Sequence, residues 1–267
     1  MKTSAYEVLE IAPRRATRTE LERVHSSEYL DEVLKKYRSS QWSGQRSDLA
    51  ELAVMFAGGT LLALEVLLRG TAKTAIHFPG AKHHAQYDHS SGFCVFADFA
   101  LAADIATKVH GKRVAILDID AHHGDGTENL TFDNPQILTF SIHEKGIFPG
   151  TGNEDNAENY VFNLPLTVET GKGDLALQSG ISQFLALAQS FGPDLIFIAC
   201  GADAHQEDPL SSLQYSVSGY EAAAEQIRNV YPNLPILMGG AGGYLPDTRT
   251  PEVWASFAKS ISQTKGG

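Results

Sequence analysis

The sequence predicts one α/β domain in which a mainly parallel sheet lies between layers of helices. Short apolar runs typical of buried strands alternate with longer segments of helical periodicity, and this alternation indicates a parallel sheet. The clearest run covers residues 113–117, where Val114 to Leu117 place apolar side chains on both alternating faces, as a strand buried on both sides requires. The 267 residues fit one large domain, and no linker interrupts them, so we assign residues 1–267 to a single unit.

Hydrophobic periodicity and turn residues divide the chain into elements. Strands are expected at residues 74–78, 113–117, 136–142, 194–200 and 235–238, and helices at 28–37, 48–68, 90–109, 174–191, 218–230 and 251–262. Thr19 fits the start of a capping box, and residues 1–46 as a whole are expected to be helical and largely solvent-facing. Polar composition predicts surface loops at residues 39–47 and 153–160.

Composition limits the classes of binding partner and the cellular compartment that are expected for this chain. A formal net charge of −11 speaks against non-specific binding to nucleic acid or anionic membranes; it suits a cationic substrate, although solubility explains it more simply. No stretch is expected to be long and apolar enough to span a bilayer, and the first residues lack the apolar core of a signal peptide. Both cysteines, Cys94 and Cys200, lie in apolar runs, which predicts reduced thiols and the cytoplasm.

The most informative stretch is Asp118-Ile119-Asp120-Ala121-His122-His123-Gly124-Asp125-Gly126, which directly follows the clearest strand. Asp118, Asp120 and His122 are two residues apart, so an extended backbone points all three the same way. Two acids and an imidazole converging at a buried strand end need a partner, and a cation is a natural one. A hydrogen-bonded polar cluster without metal is the alternative for this motif alone.

Other polar side chains also follow predicted strands. They are His83 and His84, Ser141 to His143, Asp203 and Tyr244. Ligands bind at the carboxyl ends of parallel strands, so we expect these residues to form one site. Asp120, His122 and Asp203 would give three protein ligands with an open fourth position, the pattern of a catalytic zinc.

Catalytic roles can be assigned around such a zinc. His83 and His84 are candidate bases, and Asp118 and Asp125 are free to orient them. Tyr244, carried by a glycine-rich turn, could donate a hydrogen bond to a developing oxyanion. Taken alone, two adjacent histidines are more often a surface or capping pair than catalytic bases. The glycine-rich turn alone is open to a second interpretation, a phosphate-binding loop, although its glycine spacing fits that poorly.

Taken together, six motifs resemble the histone deacetylase family, which includes acetylpolyamine amidohydrolases and acetoin-utilisation proteins. In chain order they are Lys82-His83-His84-Ala85, Ser91-Gly92-Phe93-Cys94, the Asp118 to Gly126 stretch, Phe148-Pro149-Gly150-Thr151-Gly152, Gly201-Ala202-Asp203 and Gly242-Gly243-Tyr244. The resemblance runs from about residue 10 to residue 254. It implies an arginase/deacetylase-like three-layer fold and zinc-dependent hydrolysis of an amide.

The resemblance also implies roles for individual residues. Asp120, His122 and Asp203 correspond to the zinc ligands, and His83 and His84 to tandem histidines paired with Asp118 and Asp125. Tyr244 corresponds to the tyrosine that polarises the carbonyl. Residues corresponding to the substrate channel are Gly92, Phe93, Phe148 and Gly242. Family members often hold potassium, which implies a near site at Asp118, Ser141 and the carbonyls of Asp120, His122 and Ile142, and a farther one near Thr131, Asn134, Ile137 and Tyr160.

Three departures from the family pattern stand out. The first strand and the proline-rich entry segment that usually precede residue 10 are not recognisable. Pro79-Gly80-Ala81-Lys82 replaces an Arg-Pro-Pro-Gly segment, which favours the short class IV-like branch, some of whose members remove long acyl chains. Ala241 is an extra residue before Tyr244, so the placement of that tyrosine needs a structure.

The predicted function is removal of an acyl group, most simply acetyl, from lysine or a small amine, with one zinc per chain. Two other hypotheses remain: a catalytically silent acyl-lysine binding protein, and a two-manganese ureohydrolase. The ureohydrolase needs an Asp-x-Asp arrangement at Asp203, where Ala204 and His205 follow instead.

Overall fold

A computed structural model describes residues 7–263 of the chain. The helices are α1 (Arg18–Leu21), α2 (Ser27–Leu34), α3 (Ser47–Leu68), α4 (Asp98–Lys108), α5 (Asp125–Thr131), α6 (Gly173–Phe191), α7 (Val217–Val230) and α8 (Arg249–Ser262). The strands are β1 (Thr74–His77), β2 (Val114–Asp118), β3 (Ile137–Glu144), β4 (Val161–Leu166), β5 (Leu195–Ala199) and β6 (Ile236–Gly239). Short 3₁₀ turns cover Ala157–Asn159 and Ala202–Ala204.

The six strands form one sheet in the order β1-β6-β5-β2-β3-β4, and all neighbouring strands are parallel. This confirms the predicted fold class. β2 lies between β5 and β3, and Asp118 at its end is in register with Ala199 and Ser141. The carboxyl ends of three central strands therefore meet at one edge, where ligands bind in sheets of this kind.

Two hydrophobic cores lie on opposite faces of the sheet. Val114 and Ile116 of β2 pack in the core that contains α3 and α4, whereas Ala115 and Leu117 pack in the core that contains α6 and α7. Successive strand residues point to opposite faces, so a strand covered on both sides must be apolar throughout. The continuous apolar run in the sequence has this cause.

The region before α3 differs from the prediction. Residues 7–17 form no helix or strand, and α1 and α2 are short. Leu21, Leu30 and Val33 are fully buried, but most of residues 7–46 are exposed, so the region is largely solvent-facing as predicted and differs only in how little of it is helical. It packs against α3 because Gly58 has no side chain: a Cβ there would lie 1.9 Å from the Arg14 carbonyl oxygen. The observed capping box starts at Thr17, two residues before the predicted one.

Helix α3 corrects the prediction about membrane spans. By length and hydropathy, its 22 residues could cross a bilayer, contrary to our expectation. Ten of them are buried in the protein, and Ala57, Leu61 and Leu64 are each about 1% exposed. Packing on both the sheet and the N-terminal region therefore accounts for this apolar composition.

Three further elements differ from the sequence prediction. α4 begins at Asp98 rather than near residue 90, because residues 91–94 form a tight turn instead. α5 and β4 were not predicted. β4 is an edge strand and pairs only with β3. It contains Pro165, which has no backbone N–H to donate. An edge strand tolerates proline because the backbone groups on its outer side have no neighbouring strand to pair with.

Candidate active site

Asp120, His122 and Asp203 are brought together at the end of the central strands. The first two follow β2 directly, and Asp203 lies in the 3₁₀ turn after β5. His122 Nδ1 is 3.1 Å from Asp120 Oδ1 and 2.9 Å from Asp203 Oδ2. All three side chains are buried, and their potential ligand atoms lie within 4.8 Å of one another. Among residues 7–263, this is the one group of three or more His, Cys, Asp or Glu side chains that is placed to hold a metal ion.

The charges of this group favour a cation at its centre. Burial and the neighbouring Asp120 carboxylate raise the pKa of Asp203 to about 7. Burial acts to lower the pKa of His122, but the hydrogen bonds that its ring shares with both carboxylates, which accept them, outweigh burial and raise this pKa to about 10. Two buried carboxylates thus share one imidazole as their counter-charge. A divalent cation would satisfy both and leave the imidazole neutral, the form in which it is a ligand.

Two glycines leave the space that this group occupies. A Cβ at Gly201 would lie 2.4 Å from Asp120 Oδ2, and one at Gly242 would lie 2.4 Å from Asp203 Oδ2. The Gly242 N–H also donates to Asp120 Oδ2 at 2.7 Å. Gly242, predicted in the substrate channel, therefore contacts the carboxylates directly. Its contact with substrate stays a prediction.

The tandem histidines lie beside the metal group, each oriented by the predicted aspartate. His83 Nδ1 is 2.6 Å from Asp118 Oδ2, and His84 Nδ1 is 2.7 Å from Asp125 Oδ1. The two rings are 4.0 Å apart between centroids. Each Nδ1 is hydrogen-bonded to a carboxylate, so each Nε2 is the ring nitrogen that remains available to exchange a proton. The Nε2 of His83 lies 3.8 Å from Asp120 Oδ1.

The segment that carries the histidines is held by Asp98, which the sequence analysis did not identify. This fully buried carboxylate accepts the backbone N–H of Ala81 at 2.9 Å and of Lys82 at 2.6 Å, and the Thr60 hydroxyl. Ala81 has a positive φ of 63°, so its conformation depends on such contacts. A lone acid within an otherwise apolar segment was the signal available in the sequence.

Phe93 and Phe148 flank the approach to the histidines. The Phe148 ring is 5.0 Å from the His84 ring, and the Phe93 ring is 6.2 Å from the Tyr244 ring. Their exposed fractions are 72% for Phe93 and 50% for Phe148, so neither ring is an ordinary core aromatic. Gly92 is required beside them, because a Cβ there would lie 2.3 Å from the His84 ring.

Tyr244 lies with its ring beside that of Phe93. Its N–H donates to Asp208 Oδ2 at 2.9 Å, and burial together with the Asp120 and Asp203 carboxylates raises the pKa of its hydroxyl. The extra Ala241 adopts a left-handed φ of 51° and donates its N–H to Gly80 O at 3.1 Å. The turn before Tyr244 therefore accommodates the extra residue through the left-handed conformation of Ala241. Asp208, whose carboxylate is buried, was not identified from the sequence.

The residues predicted for potassium lie in two places. Asp118 at the end of β2 is the register partner of Ser141, which lies within β3 and is followed there by Ile142. The Ser141 hydroxyl is 2.9 Å from His143 Nδ1. Of the farther set, Thr131, Asn134 and Ile137 line one surface cleft. Both potassium sites stay predictions.

Comparisons with known proteins agree with this geometry. A family described as "Histone deacetylase domain" matches residues 1–261. The acetoin utilization protein AcuC of Staphylococcus aureus (strain MRSA252) is 32% identical over 94% of this chain and 70% of its own length. AcuC of Bacillus subtilis (strain 168) is 33% identical over 92% of this chain and 69% of its own.

A eukaryotic relative and a solved structure extend the comparison. Histone deacetylase clr6 of Schizosaccharomyces pombe (strain 972 / ATCC 24843) is 33% identical over 88% of this chain and 62% of its own length. The crystal structure of the HDA15 HD domain superposes with a TM-score of 0.79 and 27% identity, covering 94% of this chain and 75% of that one. The three-layer architecture described above is therefore the one found in that domain.

Proposed function

Because the chain belongs to the histone deacetylase family, we propose that it is a zinc-dependent amidohydrolase that removes an acyl group, preferentially acetyl, from lysine or a small amine. The observation that carries this proposal is the convergence of one buried Asp-His-Asp group with two histidine–aspartate pairs. A protein that only binds acyl-lysine would have no need of two oriented bases beside a metal group.

The donor set fits zinc. One imidazole nitrogen and two carboxylates are the kind of three-ligand donor set that catalytic zinc sites use, so Asp120, His122 and Asp203 would hold the ion. Bound zinc supplies Lewis-acid chemistry, polarising the acyl carbonyl and making water more acidic. A ureohydrolase with two manganese ions would need further carboxylates, and the described residues offer only this one group of three.

The side chains around this group can divide the proton transfers. His84, whose pKa is lowered by burial and by the charge of His83, is neutral at pH 7 and can take a proton from the attacking water. The Tyr244 hydroxyl stays protonated because its pKa is raised, so it can donate a hydrogen bond to the carbonyl oxygen as negative charge develops. A histidine returns the proton to the leaving amine.

The first experiment removes a ligand. Purified wild-type protein is expected to hold about one equivalent of zinc and to hydrolyse acetyl-lysine peptides or acetylated polyamines. Asp203→Ala should lose both the zinc and the activity, because the site keeps only two ligands. Two manganese ions per wild-type chain would instead support the ureohydrolase hypothesis.

The second experiment separates an enzyme from a binding protein. Tyr244→Phe removes one hydroxyl outside the ligand set, so zinc content and peptide affinity should not change. The value of kcat should fall by roughly 10²–10³, the usual cost of losing one oxyanion donor. If the wild type binds acyl-lysine peptides and hydrolyses none, the proposal of an enzyme is wrong.

A further inference from the structure

The Phe93 side of the substrate approach is built on an unusual turn. Gly92 and Phe93 have φ values of 49° and 63°, and the flanking Ser91 and Cys94 exchange backbone hydrogen bonds at 3.1 and 2.7 Å. Both central residues of this two-residue turn are therefore left-handed, which normally requires glycine, asparagine or aspartate. For a bulky aromatic residue this conformation is an outlier, so it needs support from outside the turn.

That support comes from Gln41, 52 residues earlier in the chain. The Phe93 N–H donates to Gln41 Oε1 at 2.7 Å. The Gln41 Nε2 donates in turn to the Ser40 hydroxyl at 2.9 Å, so both ends of the amide are engaged. Since Phe93 offers a donor, the amide oxygen must be the end that faces it. The contact is thus specific in direction as well as in distance.

The residues next to Gln41 hold the base of the same turn. The Ser39 hydroxyl is 2.6 Å from the hydroxyl of Ser90, and the Ser40 hydroxyl donates to the Ser90 carbonyl at 2.9 Å. Ser90 is only 4% exposed, which makes it a fixed point. We name residues 39–41 the brace. It contacts the turn at two positions, Ser90 and Phe93.

The brace matters because burial does not fix the Phe93 ring. The ring is 72% exposed, so its position follows from the backbone conformation of the turn. On the inner side the turn is against the His84 ring, where Gly92 leaves no room for a Cβ. An outward movement away from His84 is therefore the movement that the turn can make, and the hydrogen bond from Phe93 N–H to Gln41 is a contact that such a movement would break.

From these contacts we propose that Gln41 is a positioning residue that sets the width of the acyl channel at Phe93. The inference rests on the proposed deacylase function. With the hydrogen bond between Phe93 and Gln41 intact, the Phe93 ring stays close to the acylated side chain of the substrate, here called the acyl stem, and a short acyl group is preferred. Without it, the turn relaxes outward, the contact with the stem weakens, and discrimination between short and long acyl groups declines. No contact of Gln41 with the reacting atoms is required.

The test compares Gln41→Met, which keeps the length but has no acceptor, with Gln41→Glu, which keeps an acceptor oxygen. For an acetyl-lysine peptide, Gln41→Met should lower kcat/KM by about 3- to 10-fold, the value of one neutral hydrogen bond, mainly by raising KM. The preference for acetyl over octanoyl peptides should fall as well. Gln41→Glu should restore both. Gln45→Met, at an exposed glutamine of the same loop, is the matched control and should behave as the wild type.

A double-mutant cycle shows whether Gln41 acts through the ring. In a Phe93→Ala background, Gln41→Met should have no further effect on KM or on acyl preference. An equal effect in both backgrounds, or unchanged kinetics of Gln41→Met, would overturn the inference.

Amide hydrogen exchange provides a readout that needs no activity. The Phe93 amide should exchange faster in Gln41→Met than in the wild type or in Gln45→Met, and equal rates would also overturn the inference. Failure of the proposed function would be distinct, because the wild type would then hydrolyse no acyl-lysine peptide while the exchange rates still report on the brace.

Discussion

His83 and His84 each direct Nδ1 at an aspartate, at 2.6 and 2.7 Å, yet their surroundings differ. Burial acts to lower the pKa of His83, but the charges of Asp118, Asp120 and Asp203 outweigh it and raise this pKa to about 9. Burial and the positive charge of His83 lower the pKa of His84, with only Asp125 and Asp120 opposing. Two residues with the same partner type thus reach opposite protonation states near neutral pH.

The difference follows from where each aspartate is placed. Asp118 ends β2, inside the sheet and next to the metal group, whereas Asp125 begins α5 and pairs with His84, whose ring lies against Phe148. A cation held by Asp120 and Asp203 would cancel part of the negative charge around His83. Asp118 would then be the main carboxylate that stabilises the protonated form of His83. His84 therefore suits proton transfer to and from substrate, and His83 suits electrostatic support.

Replacing His84 is expected to have the largest effect. His84→Ala removes the proposed base, so kcat should fall by roughly 10²–10⁴ while zinc content and thermal stability stay close to wild type. The measurement is steady-state turnover of an acetyl-lysine peptide, alongside metal analysis of the same sample. A loss of less than tenfold would assign the proton transfer to another group.

Replacing His83 is expected to have a smaller effect. His83→Asn removes a charge that supports the site, for which roughly 10- to 100-fold in kcat is the range seen for partners that act through other groups. The ratio of the two losses is the informative quantity. Equal losses for His83→Asn and His84→Ala would mean that the two pairs share one role.

Much of this site was predictable because its signals are local. Asp118, Asp120 and His122 share a strand period, and the apolar run before them predicted the buried position of β2. The parallel sheet followed from the alternation of strands and helices. These features depend on neighbours within a few residues, so a sequence shows them directly.

The supporting residues could not be predicted in the same way. Asp98 holds Ala81, Asp208 holds Tyr244 and Gln41 holds Phe93, across 17, 36 and 52 residues of chain. No spacing rule joins such pairs; only the fold brings them together. β4 was missed for a different reason: as a half-buried edge strand with Pro165, it lacks the apolar run that marks the central strands.

The smallest expected effect is a shift of the pH profile of kcat/KM, and it tests most directly the difference in pKa between His83 and His84. A general base acts in its neutral form, so kcat/KM should fall as pH drops through the His84 pKa, which lies below the ordinary 6.5. His83→Asn removes the positive charge that lowers this pKa, so the acidic limb should move to higher pH. Asp125→Asn removes the hydrogen bond that raises it, so the limb should move to lower pH.

Profiles of kcat/KM for both variants, at constant ionic strength, decide this point. Zinc content must be measured at each pH, because protonation of the ligands also releases metal and would produce a similar limb. If both variants shift the limb in the same direction while zinc is retained, the limb belongs to a group other than His84. Shifts in opposite directions would identify His84 as the titrating base, because its two partners act on its pKa with opposite signs.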